Sequence, residues 1–496
     1  MKKVFVAAAA AIVLAGLAVA AVPLAERYAA ARIKGEIASG GQATVGSVEV
    51  GLFDRRVVLV DLKSRLPQEL AAAELTVGRL DVSGLAVSFA DFLQGRTSLT
   101  DFRLGDPLHA DRLDLHDVRM VYPSAGARWS VASLTIEGFD LGRYDAAVVG
   151  PYRFAVLSAR IAAALSIGQL RQKTLLFTMP GSGDTVGVGD LALDAADHGK
   201  IGAIAIDRLE AAPKAGDDVA FKIDTIRIKG ADLNRILGPL VAASWTPATP
   251  VGRAELAAFN ATGFGGSTLA RYGLSLGSIS GETTHGADND VHSHGRVEGL
   301  VLAPGIGPES LKMLIMLQTL GLKEIRLGLE CDVTEERGKG QFSMDACRLG
   351  IADLADLALK VRLVNADAAF WQALDGGGGA ALGRSAIALE GASLTLADKG
   401  VLDRSAQALA KLTGQTVAAA RAKLASDIRA YQPPGVLITE ELTKIVATIA
   451  AFVEKGGTLT IEAKPDTPVG LSRADTFRQP GPDLVDLFGV TARLSP

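Results

Sequence analysis

The sequence predicts a mainly β fold with helical insertions, and three observations carry that expectation. Val, Leu and Ile alternate widely with Ser, Thr and Asp. Glycine is abundant, at 55 residues. One strand phrase keeps returning: an apolar or alternating run, then Gly or Asp, then an apolar residue. The chain is organised around the stretch from 37 to 66, IASGGQATVGSVEVGLFDRRVVLVDLKSRL. Val45, Val48 and Val50 lead through Gly51, Leu52 and Phe53 to a charged turn at Asp54, Arg55 and Arg56, and Val57, Val58, Leu59 and Val60 follow. Valine-rich runs bounded by Gly and a charged turn read as a β-hairpin.

The bulk numbers narrow the partners. At 496 residues the chain exceeds one ordinary core. Several globular units would use that length, and so would an elongated repeat architecture in which each unit packs only on its neighbours. The net charge is −4, the signs are interspersed and there is no basic stripe, which argues against a nucleic-acid partner. Two cysteines are too few for a disulfide framework.

Taken in order, residues 1–22 come first. Met1, Lys2 and Lys3 precede the uncharged run from Val4 to Val22, which as a helix would extend roughly 28 Å, about one hydrocarbon core. The lysines favour an N-in transmembrane anchor. Ala18-Val19-Ala20 also matches a signal-peptidase site, with Ala21 as the mature start. Both readings send the bulk of the chain to the periplasm. Residues 23–40 predict a short helix, with Leu24, Tyr28, Ala31 and Ile33 on one stripe and Gly40-Gly41 ending it. Residues 41–303 predict strand after strand, among them Leu75–Val77, Leu85–Phe89, Leu113–Leu115, Val118–Tyr122 and Ile201–Ile206. The phrase VVLVDLKS returns as LDLHDVRM at 113, LTIEGFDL at 134, IRIKGADL at 226 and IALEGASLTL at 387, without a fixed period. A short helix is expected within 304–322, strands within 323–400, a two-helix insertion over 401–455 and a terminal strand and tail over 456–496. The insertion is read from two stripes, Leu402 to Ile428 and Leu442 to Val453, separated by Pro433-Pro434-Gly435.

No residue set supports catalysis. Gly273-Leu274-Ser275-Leu276-Gly277 matches G-x-S-x-G, but Ser278-Ile279-Ser280 continues as strand where a nucleophile elbow needs a helix. Residues 181–187 miss the dinucleotide pattern, and there is no phosphate loop or HExxH. Neither an enzyme activity nor a cofactor is expected. His285, Asp288, Asp290, His292 and His294 cluster, and in a strand His292 and His294 share a face suited to a transition metal. GADND is equally a hairpin turn, and a solvated hairpin tip is the simpler reading.

Cys331 and Cys347 fall on two expected strands, 325–335 and 341–351. A three-residue loop sets them opposite each other; a two-residue loop sets Cys331 against Ala346 and Val333 against Met344. The apolar pattern favours the second register near the turn and then switches parity at Cys347. A bulge near Asp345-Ala346 would produce that switch and bring the cysteines together as a disulfide, which an oxidising compartment permits. The alternative is a pair of buried thiols.

The first 65 residues resemble the start of the AsmA-like family, inner-membrane anchored periplasmic proteins of Gram-negative bacteria. The likeness lies in the Lys-flanked apolar span, the short helix with Tyr28 and Ile33, and the phrase GQATVGSVEVGLF running to VVLVDLKS. Residues 401–455 stand outside the family pattern and mark a divergent member. The resemblance to this family, whose wider membership includes the translocation and assembly module subunit, implies an elongated, curved antiparallel sheet or groove after an N-terminal transmembrane helix. It implies an inner-membrane protein with membrane lipids as partners and phospholipid binding or conduction in outer-membrane biogenesis as its job. The groove lining expected from alternation is Val58, Val60, Val87 and Phe89. The alternative is an assembly scaffold that binds envelope proteins through its sheet edges.

Overall fold

A computed structural model of the protein describes residues 22–66, 73–100, 103–123, 126–213, 219–242, 244–247, 249, 252–286, 290–305, 310–376, 384–431, 438–471 and 484–496. The expected anchor or signal peptide lies, up to residue 21, outside the described residues. Among those described, no helix is long and apolar enough to cross a membrane. The chain divides into two units, residues 1–219 with 225–255, and residues 220–224 with 256–496. Both are built from long antiparallel strands, as the alternation predicts.

The first unit opens with a helix over residues 22–39, ended at Gly40-Gly41 as expected. Strands β1 (Ala43–Thr44) and β2 (Ser47–Gly51) both pair with β3 (Arg56–Arg65). The hairpin turns at residues 52–55, so that Val50 faces Val57 and Val48 faces Leu59. Then come β4 (Glu74–Ser83), β5 (Leu108–Tyr122), β6 (Ala127–Leu141), β7 (Leu165–Thr178), β8 (Thr185–Asp197) and β9 (Lys200–Ala212), each antiparallel to the strand before it. Strand β10 spans Phe221–Asp232.

Two rows of backbone kinks cross these strands. Asp61 on β3, Asp117 on β5, Thr174 on β7 and Arg208 on β9 hold φ of 55°, 53°, 50° and 58°. Gly138 on β6, Ala195 on β8 and Gly230 on β10 hold 64°, 53° and 57°. One row therefore uses odd strands and the other even strands. Facing residues on the neighbouring strands are not themselves at positive φ and are repeatedly small. Gly78 faces Asp61 and Asp117, Ala132 faces Asp117 and Thr174, and Gly189 faces Thr174 and Arg208. Crowding explains the small residues: a Cβ on Gly78 would stand 3.0 Å from that of Asp117, and one on Gly168 would stand 3.1 Å from the Glu137 carbonyl oxygen.

Each kink resets the alternation. On β5 the apolar positions run Leu108 and Ala110, then Leu113 and Leu115, then Val118 and Met120, skipping a residue at the kink Asp117 and another at Asp111, which faces the kink Gly138 of β6. Both sides of a kink still meet in one core. Ala110 packs with Leu113 among Val57, Leu59, Val82, Leu85 and Phe92, and Val118 packs with Leu115, Val131 and Leu134. The first of these cores is closed by Ala29 and Ile33 of the opening helix. Burying such side chains supplies about 25 cal/mol per Å² of apolar surface.

Helices interrupt the strand reading in several places. Leu85–Phe89, expected as strand, instead turns into a helix at Phe89–Leu93. Ser88 caps it, its Oγ accepting from the Asp91 N–H at 3.1 Å, and this Ser-x-x-Asp signal outweighs the short apolar run. Helices Arg153–Ala164 and Asn234–Leu240 also lie within the stretch read as all strand.

In the second unit, β11 (Glu255–Phe264), β12 (Leu274–His285), β13 (Val291–Leu302), β14 (Ile325–Glu336), β15 (Gln341–Ile351), β16 (Ala355–Val364) and β17 (Ala388–Asp398) form an antiparallel meander. Strands β18 (Thr458–Ala463) and β19 (Val469–Gly470) pair with β17, and β20 (Val490–Ser495) pairs with β18. The short helix expected within 304–322 is present at Ser310–Thr319. The two-helix insertion is corrected to three helices, Val401–Thr413, Val417–Ala430 and Glu440–Lys455. Gly414, at φ 70°, ends the first, and Thr416 caps the second by accepting from Ala419 N–H, so the stripe read as one helix breaks. The three pack over one end of the sheet, with Ala425, Ala450, Phe452 and Val453 against Leu459, Leu396 and Leu494.

Candidate functional site

The register of the first unit aligns one aliphatic row. Leu80 faces Leu115, Leu115 faces Leu134, Leu134 faces Gln172, Gln172 faces Leu191 and Leu191 faces Ile206. Beside it runs a second row, Leu113, Ile136, Leu170, Leu193 and Ile204. Paired residues point to the same side of a sheet, so the two rows make one face. Six strands at about 4.8 Å span roughly 24 Å, longer than one leaflet's share of a hydrocarbon core of about 30 Å. Toward β3 this face is closed by the helix over residues 22–39. Over β7 to β9 it is more open: Leu170, Leu175, Leu191, Leu193, Ile204, Ile206 and Leu209 stay half-buried.

The opposite side of the same strands is charged and paired. Arg112 bonds Asp114 at 2.6 Å and Glu137 at 2.8 Å, Arg171 bonds Asp194 at 2.8 Å, and Arg227 bonds Asp207 at 2.6 Å. Burial opposes ionisation of Asp114, but hydrogen bonds from Arg112 and Thr135 prevail and hold its carboxyl below the usual range. The strands are therefore two-faced, aliphatic on one side and ionic on the other, as antiparallel sheets with one wet face are.

Gln172 breaks the aliphatic row. It is 7 % exposed, and its Nε2 is buried without a hydrogen-bond partner. Leaving such a donor unpaired costs about 1–3 kcal/mol. Among the described residues its register neighbours on this face are Leu134 and Leu191.

The second unit repeats the pattern. Ile279, Val297, Leu329, Leu349, Leu357, Leu396, Leu459 and Leu494 face one another in turn across the strands from β12 to β20. Leu459, under the three helices, is 6 % exposed, whereas Leu329, away from them, is 44 % exposed.

The four lining candidates do not form one surface. Val58 pairs with Glu49 and Asp81, and Val60 with Ser47 and Arg79, so both lie on the side opposite Val57 and Leu59. Val58 is nonetheless buried, at 3 % exposure. Val87 packs partly against the first core, and Phe89 starts a helix with 53 % of its surface exposed. On β3 the core side is that of Val57 and Leu59, one residue out of phase with Val58 and Val60, and β4 ends at Ser83, before Val87 and Phe89.

Cys331 and Cys347 are joined as a disulfide. Val333 faces Met344 and Glu330 faces Arg348, which leaves two residues of β14 opposite three of β15, a bulge covering Asp345 and Ala346. His292 and His294 share a face of β13, where His292 Nδ1 lies 3.1 Å from Thr334 Oγ1 and His294 Nδ1 lies 2.7 Å from Asp332 Oδ1. Asp288 lies outside the described residues, among which no three His, Cys, Asp or Glu side chains group to hold a metal ion. Ser275 sits within β12, which runs on to His285.

A family model described as an uncharacterized protein matches residues 348–494, the stretch from the later half of β15 through the three helices to β20. No curated protein matches the chain.

Proposed function

We propose that this chain is an inner-membrane anchored, periplasmic AsmA-like protein whose aliphatic sheet faces shelter the acyl chains of phospholipid during envelope biogenesis. The observation that carries the reading is the half-buried face of Leu170, Leu191, Leu193, Ile204 and Ile206, backed by an ion-paired opposite side. Each CH₂ removed from water contributes about 0.8 kcal/mol, so a few strands' width of such surface suffices to hold a lipid tail. The resemblance of the N-terminal stretch supports the location and the lipid class.

The test is lipid carried by the purified full-length protein, measured by mass spectrometry after extraction. Leu191→Asp puts a charge in the aliphatic row and is expected to lower bound phospholipid about tenfold or more, because an unpaired charge resists burial. Lys173→Ala, on the ionic side, is expected to leave it unchanged. A wild-type protein that carries and accepts no phospholipid would remove the reading.

A further inference from the structure

Resting on that reading, we infer that Gln172 is a polar station on the aliphatic face, and that its amide Nε2–H donates to an acyl-ester carbonyl of a bound phospholipid. In the row Leu80, Leu115, Leu134, Gln172, Leu191 and Ile206 it is the one polar residue. It is 93 % buried, yet its Nε2 has no protein partner. A buried polar group in a folded protein is nearly always satisfied, so an orphan donor marks the place of a missing acceptor. Water is a poor candidate, since a buried water needs several polar partners and the register neighbours Leu134 and Leu191 offer none.

The surroundings select the acceptor. Arg171 and Lys173 flank Gln172 in sequence, but alternation sends them to the other side, where Arg171 bonds Asp194. No cation therefore stands beside Gln172 in its row, and a carboxylate or phosphate would be buried without a counter-charge. A neutral carbonyl between aliphatic chains meets the requirement. In a diacyl phospholipid the ester is where chain and headgroup region join, so Gln172 would fix how far along the face the chains lie.

Ester- and ether-linked phospholipids of identical chains and headgroup differ in the carbonyl oxygen alone. Vesicles of equal parts dioleoyl phosphatidylcholine and its diether analogue are incubated with the full-length protein, and the lipid recovered with the protein is weighed by mass spectrometry. Wild type is expected to carry the diester about three- to tenfold over the diether, the worth of one hydrogen bond. Gln172→Met and Gln172→Leu, which keep the volume and lose the donor, are expected to carry both equally. Equal loading by wild type overturns the role of Gln172 and leaves the lipid face standing, and so does an undiminished preference in either folded variant. Displacement of the diester by equimolar oleate overturns the assignment to an ester. No lipid of either kind on wild type removes the face reading and this one together.

Discussion

Asp81 is the residue through which protonation reaches the first hairpin. Its carboxylate accepts from Arg56 Nε at 2.7 Å and from Arg56 Nη2 at 2.5 Å, with Arg79 Nη2 at 3.4 Å. The Arg56 hydrogen bond outweighs burial and holds the acid below its ordinary value. A depressed folded pKa means that its contribution is fully present above the unfolded value of about 3.9 and is lost as pH falls through the folded one. Asp81→Asn is therefore expected to lower stability by about 1 kcal/mol at neutral pH and by progressively less below pH 4. Thermal unfolding of both proteins from pH 7 to pH 2 checks this; parallel curves would contradict it. Gln172 was open to the same residue-level reading. In LRQKTLLF it stands two places from Leu170, on the same side of a strand, and a glutamine at an aliphatic position is itself a signal. Its lack of a partner was not legible, because that depends on strands β6 and β8.

At the scale of the strand, the recurring phrase was legible and its meaning was not. In VVLVDLKS, LDLHDVRM, LTIEGFDL and IRIKGADL the interrupting Asp or Gly is the residue at positive φ: Asp61, Asp117, Gly138 and Gly230. In IALEGASLTL the interruption is instead a register shift, where Arg362 faces Gly391 and Leu363 faces Leu389, leaving Glu390 out. Thr174, Ala195 and Arg208 occupy equivalent kinks without being turn formers, so no local signal announced them. Neighbouring strands impose the bend there, and a β-branched threonine at φ 50° bears its cost. Thr174→Asn is expected to stabilise by about 1 kcal/mol, since Asn tolerates this region. Gly138→Val is expected to destabilise by about 2 kcal/mol, combining an unfavourable φ with loss of close approach to Gly168. Urea midpoints of the two variants should move in opposite directions; a shared direction would show that the kinks are not set by backbone preference. The break between the helices Val401–Thr413 and Val417–Ala430 is hidden for a related reason. Gly414 and Thr416 are ordinary stop and start signals, but the aliphatic stripe continues across them.

On the scale of the whole chain, almost every strand pairs with its sequence neighbours, so stability is assembled locally and damage should stay local. The disulfide tests this. It closes a separation of 16 residues, for which loop entropy gives about 3 kcal/mol. Reduction is expected to raise amide hydrogen exchange in β14 and β15 and in their partners β13 and β16, while β5 to β9 stay as protected as before. Loss of protection in both sets would mean that the chain unfolds as one cooperative body. The kink rows carry a further consequence, for how such a chain can change length. Positive-φ residues occupy odd strands in one row and even strands in the other, and Asp61, Asp117, Gly138, Thr174, Ala195 and Arg208 are each received by a small residue on a strand beside them. Duplicating one strand would set two such residues shoulder to shoulder in one row and two receivers in the other. Duplicating a hairpin preserves both sequences of bend and receiver. The first unit is thus a lattice with a two-strand repeat, and insertions or deletions that it tolerates should come as whole hairpins.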